Sequence, residues 1–226
     1  MVSVIIVAAG SSSRMNGVNK QLETIGGTPV FVMSALKFER SERVGEIIIA
    51  APENDTARYE KLAREHGVKK LAAVVAGGET RMRSVRNCLD AVSHEAEYIA
   101  IHDGARPLIE TGDIERVFDN AEKYGASIAA APAVDTVKKV DGGFIEGTPP
   151  RGKLYYAQTP QVFRKALYLS CLARLGQAAT EKVTDDASIL EMCGEKVGIT
   201  EIGGCNMKIT RPDDLIMAEA LYRSRQ

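Results

Sequence analysis

Six short apolar runs, each followed by a polar or amphipathic stretch, constrain this chain more than any other feature. They are Val2–Val7, Val44–Ala51, Leu71–Ala76, Tyr98–Ile101, Ser127–Ala131 and Lys196–Ile202. Short apolar runs bounded by turn signals read as strands covered on both faces. Between them lie helix candidates with start signals: Thr28–Pro29, with proline at the first helical position, Thr80 ahead of Arg81–Ala91, and Thr111 ahead of Asp113–Tyr124. Further helices are expected near Phe163–Leu175 and Asp185–Cys193, and a last one after Arg211–Pro212. Strand–helix alternation of this kind implies an α/β fold, a mostly parallel sheet flanked by helices. In such sheets ligands bind at the carboxyl ends of the strands.

One segment breaks the rhythm. Asp135 to Ala157 contains Thr136–Val137–Lys138–Lys139–Val140, the turn signal Asp141–Gly142–Gly143, then Phe144–Ile145 and Pro149–Pro150. It reads as a protruding β-hairpin, a β-arm, rather than a strand–helix unit. A hairpin of this length cannot bury itself, and a second subunit is its expected cover.

Composition narrows the partners. The formal charge of −1 leaves no basic footprint for nucleic acid and no polybasic membrane surface. Cys88, Cys171, Cys193 and Cys205 form no C-x-x-C pair, and His66, His94 and His102 form no i,i+4 pair, so no structural zinc is expected. No apolar run approaches the roughly 20 residues that span a bilayer. Unpaired thiols and the lack of a basic leader at the start point to the cytoplasm.

Three constellations carry the chemistry. The first strand breaks into Ala8–Ala9–Gly10–Ser11–Ser12–Ser13–Arg14–Met15, followed by Lys20. A small-residue loop at a strand end exposes backbone N–H groups that suit phosphate oxygens, and Arg14 and Lys20 add two cations there. The dinucleotide fingerprint and the Walker lysine spacing are both absent, so by itself this is also a polar loop with surface cations. Gly77–Gly78–Glu79–Thr80–Arg81–Met82–Arg83–Ser84–Val85 places two glycines between a strand and a helix. As bare sequence it is a helix cap. His102–Asp103–Gly104–Ala105–Arg106–Pro107 follows the Tyr98–Ile101 run, and an acid there is costly unless exposed, paired or beside a metal. A turn pair between Asp103 and Arg106 is the plain alternative.

Together these motifs resemble the polyol-phosphate cytidylyltransferases, most of all the 2-C-methyl-D-erythritol 4-phosphate cytidylyltransferase family. That family opens A-A-G-x-G-x-R-M, then K-Q, here Ala8–Met15 and Lys20–Gln21. Its G-G-x-x-R-x-x-S-V and H-D-[GA]-A-R-P match at Gly77–Val85 and His102–Pro107. Weaker matches are Asp135–Thr136–Val137–Lys138, Arg151 ahead of Gln158–Thr159–Pro160–Gln161, Thr184–Asp185–Asp186–Ala187 and Asn206–Met207–Lys208–Ile209–Thr210. Two positions depart: Ser12 replaces the usual second glycine, and Cys205 stands where an acid is expected.

The resemblance runs in order over nearly the whole chain. It implies a Rossmann-like nucleotidyltransferase fold in one domain, residues 1–226, with the arm at 135–157 joining a homodimer. It implies transfer of CMP from CTP to 2-C-methyl-D-erythritol 4-phosphate, with Mg²⁺ or another divalent cation. Arg14, Lys20 and Lys208 would be catalytic. Ala8, Ala9, Gly10, Gly77, Gly78, Glu79, Ser84, Asp103 and Gly104 would hold the nucleotide. Thr136, Arg151, Thr159, Thr184 and Lys208 would hold the polyol phosphate, and Asp103 the metal, directly or through water. Two alternatives stand beside this: a ribitol-5-phosphate cytidylyltransferase, and a nucleotide-binding dimer without catalysis.

Overall fold

The computed structural model describes residues 1–10, 18–180 and 183–225. Its strands are β1 (Val2–Val7), β2 (Thr24–Ile25), β3 (Thr28–Pro29), β4 (Val44–Ala51), β5 (Leu71–Ala76), β6 (Tyr98–Asp103), β7 (Ala126–Pro132), β8 (Lys139–Asp141), β9 (Phe144–Gly147), β10 (Tyr155–Arg164) and β11 (Gly198–Glu201). Its helices are α1 (Val30–Glu39), α2 (Thr56–Glu65), α3 (Arg81–Leu89), α4 (Thr111–Tyr124), α5 (Lys165–Thr180), α6 (Ala187–Met192) and α7 (Pro212–Ser224).

Seven strands form one sheet in the order β11-β7-β10-β6-β1-β4-β5. All neighbours are parallel except β10, which runs antiparallel to both β6 and β7. The mostly parallel reading therefore holds, with one strand reversed. Period-2 alternation sends successive side chains of β1 to opposite faces. Val4 and Ile6 pack with Phe31, Phe38, Tyr59 and Phe118 on one face. Ile5 packs with Met82, Val85, Tyr168 and Ile189 on the other. Both faces of β1 are thus dry, which is why its sequence shows no polar alternation.

The chain runs outward from β1 to β4 and β5, then crosses back through α3 to place β6 on the other side of β1. This reversal opens a crevice at the carboxyl ends of β1 and β6. A third apolar cluster, with Ile25, Val30, Leu108, Ile209 and Ala218, fastens α7 beside that crevice.

Several boundaries differ from the sequence reading. Pro29 caps α1 from outside the helix. Thr111 lies inside α4, whose cap is Glu110. His102 and Asp103 belong to β6 itself. Phe163 ends a strand rather than opening a helix, because Val162 and Phe163 pair with β6 and β7 before α5 begins. The arm's hairpin is confined to β8 and β9, since Tyr155–Ala157 join the main sheet.

Candidate active site

The crevice holds a cavity of about 380 Å³, lined among others by Ala9, Gly10, Lys20, Gly78, Glu79, Ser84, Asp103 and Lys208. Its floor is backbone. Ala8 is fully buried and its N–H donates to Ala50 O at 2.9 Å, which carries the chain straight off β1. Gly77 N–H donates to Ala51 O at 2.8 Å, so the glycine pair continues β5 alongside. Ser84, on the first turns of α3, accepts from Gly78 N–H at 3.0 Å through Oγ and donates to Thr80 O at 3.1 Å. Thr80 caps α3, its Oγ1 accepting from Arg83 N–H at 3.1 Å. Gly104 follows β6, where an added Cβ would meet Gln21 Oε1 at 3.0 Å and Ala8 Cβ at 3.2 Å. Gly10 and Gly78 line the cavity itself, while the space beside Gly77 and Gly104 is filled by Ala8, Ala9, Gln21 and Ser84, so the three strand ends pack into one close wall.

Against this wall stands a cluster of charge. Asp103, 7% exposed, accepts from Arg81 Nε at 3.1 Å on Oδ1 and from Lys208 Nζ at 2.7 Å on Oδ2. Arg106 Nε lies 3.7 Å from Oδ2, and Arg106 N–H donates to Asp103 O at 3.0 Å, so the turn pair is present as well. Burial pushes the Asp103 carboxyl up, but Arg81 and Lys208 outweigh it and hold the group well below the usual carboxylate range. Arg81 also donates from Nη1 to Asp186 Oδ2 at 2.5 Å. Burial works against the Arg81 charge, yet Asp186 and Asp103 raise its pKa above the ordinary arginine value.

A neutral chain supports the acid from behind. His102, fully buried, faces Arg106 O at 3.2 Å through Nε2 and Thr159 Oγ1 at 3.1 Å through Nδ1. A carbonyl only accepts, so Nε2 carries the proton and Nδ1 accepts from the threonine. Thr159 Oγ1 in turn accepts from Asp103 N–H at 3.0 Å. Burial pushes the His102 pKa down to about 4, which keeps the ring neutral. Lys20 donates from Nζ to Ile209 O at 2.9 Å, beside Lys208, so a lysine from the start of the chain and one from its end share the cavity's rim.

Of the residues expected at a site, Ala9, Gly10, Lys20, Gly78, Glu79, Ser84, Asp103 and Lys208 line this cavity, with Ala8, Gly77, Gly104 and Thr159 packed behind it. Thr136, Arg151 and Thr184 do not line it; all three are exposed, and Arg151 donates to Val134 O at 2.9 Å. Arg14 and Ser12 lie outside the described residues. Cys205 is half-buried with a free thiol. Sequence reasoning assigned no role to Arg81, Asp186 or Tyr168, although Arg81 and Asp186 stood within quoted motifs. Their signal was a cation directly after a helix cap and a second acid in a Thr–Asp–Asp run.

The donor set bears on how a metal ion would be met here. No group of three His, Cys, Asp or Glu suited to a metal ion occurs among the described residues. The cavity offers the single buried carboxylate Asp103, with both oxygens accepting from cations. That suits an ion carried by phosphates and met through water, the usual manner of Mg²⁺, rather than one caged by protein.

Comparison with known proteins identifies the family. The profile of the IspD family, 2-C-methyl-D-erythritol 4-phosphate cytidylyltransferase, matches residues 2–224. A protein of that name from Geobacillus kaustophilus is 41% identical over 222 residues, covering 98% of this chain and 96% of its own. One from Bacillus mycoides is 40% identical, covering 97% of each. Among solved structures, the 4-diphosphocytidyl-2C-methyl-D-erythritol synthase of Anaerococcus prevotii superposes with a TM-score of 0.87 at 30% identity, covering 99% of this chain and 96% of that one. The cytidylyltransferase of Thermus thermophilus superposes at 0.77 with 30% identity and 98% coverage of both. The chain belongs to the 2-C-methyl-D-erythritol 4-phosphate cytidylyltransferase family.

Proposed function

We propose that this cavity transfers the cytidylyl group of CTP to 2-C-methyl-D-erythritol 4-phosphate, giving 4-diphosphocytidyl-2-C-methyl-D-erythritol and pyrophosphate in the synthesis of isoprenoid precursors. One observation carries the reading. Lys208, brought from the far end of the chain, is fixed 2.7 Å from Asp103 at a cavity that Lys20 and Gly78 also line. Cations held at a backbone wall are what a nucleoside triphosphate meeting a second polyanion requires.

The bond-making step needs no general base. A phosphomonoester with a second pKa near 6 is a dianion at neutral pH. Its oxygen attacks the α-phosphorus in line, the bond to the β-phosphate breaks, and pyrophosphate leaves with the electron pair. Negative charge grows on the five-coordinate phosphorus, and Lys20, Lys208 and Arg14 neutralise it. The glycine wall and Ser84 read the base through backbone groups, while Asp103 holds Lys208 in place. Mg²⁺ bound with the triphosphate would neutralise charge on the leaving pyrophosphate.

The acceptor's phosphate falls to Thr136, Arg151, Thr184 and Lys208, whereas the expected Thr159 is buried, its hydroxyl spent between His102 Nδ1 and Asp103 N–H, and supports the acid instead. Thr136 and Arg151 lie outside the cavity of their own subunit, on an arm whose Phe144 side is 81% exposed. We therefore assign them to a neighbouring subunit's pocket in a homodimer joined through the arm. Free thiols at all four cysteines support a cytoplasmic setting, and among the described residues no helix is long and apolar enough to cross a membrane.

The test is pyrophosphate release from the purified chain with CTP and Mg²⁺, comparing methylerythritol 4-phosphate with ribitol 5-phosphate. Release with the first alone is expected. Release with ribitol 5-phosphate alone would keep the chemistry and overturn the acceptor.

A further inference from the structure

Asp186 occupies the position that opens α6, where an aspartate ordinarily accepts from the helix's first free N–H groups. It does not do so here. Asp185 Oδ1 takes that task for Ser188 N–H at 3.2 Å, and Gln161 Oε1 accepts from Asp186 N–H at 2.9 Å and Ala187 N–H at 3.0 Å. Relieved of capping, the Asp186 carboxylate turns inward and is fully buried. Oδ1 accepts from Tyr168 O–H at 2.8 Å, and Oδ2 accepts from Arg81 Nη1 at 2.5 Å. The Tyr168 ring is itself stacked on Phe163, 5.1 Å between centroids.

The guanidinium of Arg81 is a rigid planar fork. With Nη1 on Asp186, its Nε meets Asp103 Oδ1 at 3.1 Å and leaves Oδ2 to Lys208. Burying two carboxylates to hold one arginine is a poor way to gain stability, since apolar packing of the same volume does as well or better. Geometry is what the arrangement supplies.

We infer that Asp186 is a positioning residue for cytidylyl transfer, fixing Arg81 so that Asp103 presents Lys208 to the reacting phosphate. The inference rests on the reaction proposed above. Without the Asp186 charge, Arg81 turns both its donors to Asp103 and competes with Lys208 for that carboxylate. Two acids, Asp103 and Asp186, face three cations, Arg81, Arg106 and Lys208. Removing one acid makes the pocket more positive, so the triphosphate binds at least as well while its reaction slows.

Asp186→Asn keeps the size and loses the charge, and Tyr168→Phe removes one hydrogen bond while keeping the stacked ring. The assay pairs pyrophosphate-release kinetics with calorimetric CTP titration. Asp186→Asn is expected to lower kcat about tenfold or more, with KM for CTP unchanged or reduced and one CTP still bound per chain. Tyr168→Phe moves kcat the same way by less, and it stands in if the first variant fails to fold. Wild-type kcat in either folded variant overturns the inference. So does a fall in kcat matched by an equal fall in CTP stoichiometry, which marks a merely structural role. A wild-type chain inactive with either acceptor overturns the proposed reaction, and the inference with it.

Discussion

At Gly77 the space for a side chain is already taken. An added Cβ would stand 2.2 Å from Ala9 Cβ and 2.9 Å from Ser84 Oγ, two groups assigned to the nucleotide. Neither can retreat cheaply, because Ala9 follows the fully buried Ala8 and Ser84 is tied to Gly78 and Thr80. Gly77→Ala should therefore displace the wall and raise KM for CTP about tenfold, with kcat at saturation much less affected; steady-state kinetics decide. Lys208 predicts the opposite split. Its ammonium is held by Asp103 at the cavity proposed for the transfer, so Lys208→Met should lower kcat by about 10²–10³ with little change in KM. A change confined to KM would reduce Lys208 to a nucleotide-binding group.

At the scale of elements, the arm invites its own experiment. Thr136 and Arg151 are exposed and Lys20 lines the cavity, so an arm reaching a neighbouring pocket separates the two functions onto different chains. Mixing Lys20→Ala chains with Arg151→Ala chains should then restore about a quarter of wild-type activity, if subunits pair at random and one of two sites in each mixed dimer is intact. No recovery in verified mixed dimers would place Arg151 in its own subunit's site. The arm was readable because Asp141–Gly142–Gly143 is a local turn signal, and the parallel strands because double burial leaves an unbroken apolar run. Strand β10 was not. Gln158–Thr159–Pro160–Gln161 interrupts its apolar residues, its pairing with β7 shifts register between Ala157 and Gln161, and Phe163 reads equally well as a helix opening. The site divides the same way. Gly77, Asp103 and Lys20 sit at strand ends or in small-residue loops, which sequence marks. The Arg81–Asp186 pair joins positions 105 apart, and neither periodicity nor propensity marks such a partner.

His102 ties the site to the stability of the whole molecule. It lies within the central sheet on β6, bonded to Thr159 of β10 and to the Arg106 turn, and its ring packs edge-to-face with Phe38 of α1, 4.9 Å between centroids. Protonating it would charge a fully buried ring and reverse the Nδ1 bond from Thr159. Unfolding returns its pKa to about 6.5 from about 4 in the native state. Between those values the unfolded chain binds the extra proton and the native chain does not, so stability falls as the pH is lowered. The contribution is intact above pH 6.5 and lost as pH drops toward 4, amounting to about 3 kcal/mol for this one group. Asp103, whose native pKa is held low, adds a loss of the same sign only below about pH 4. The chain has no tryptophan, so urea unfolding followed by far-ultraviolet circular dichroism is the suitable measurement. The midpoint should fall steadily from pH 6.5 to 4 in the wild type and change much less in His102→Gln. A midpoint in the wild type that stays flat across that window would mean that the buried imidazole takes up its proton without unfolding.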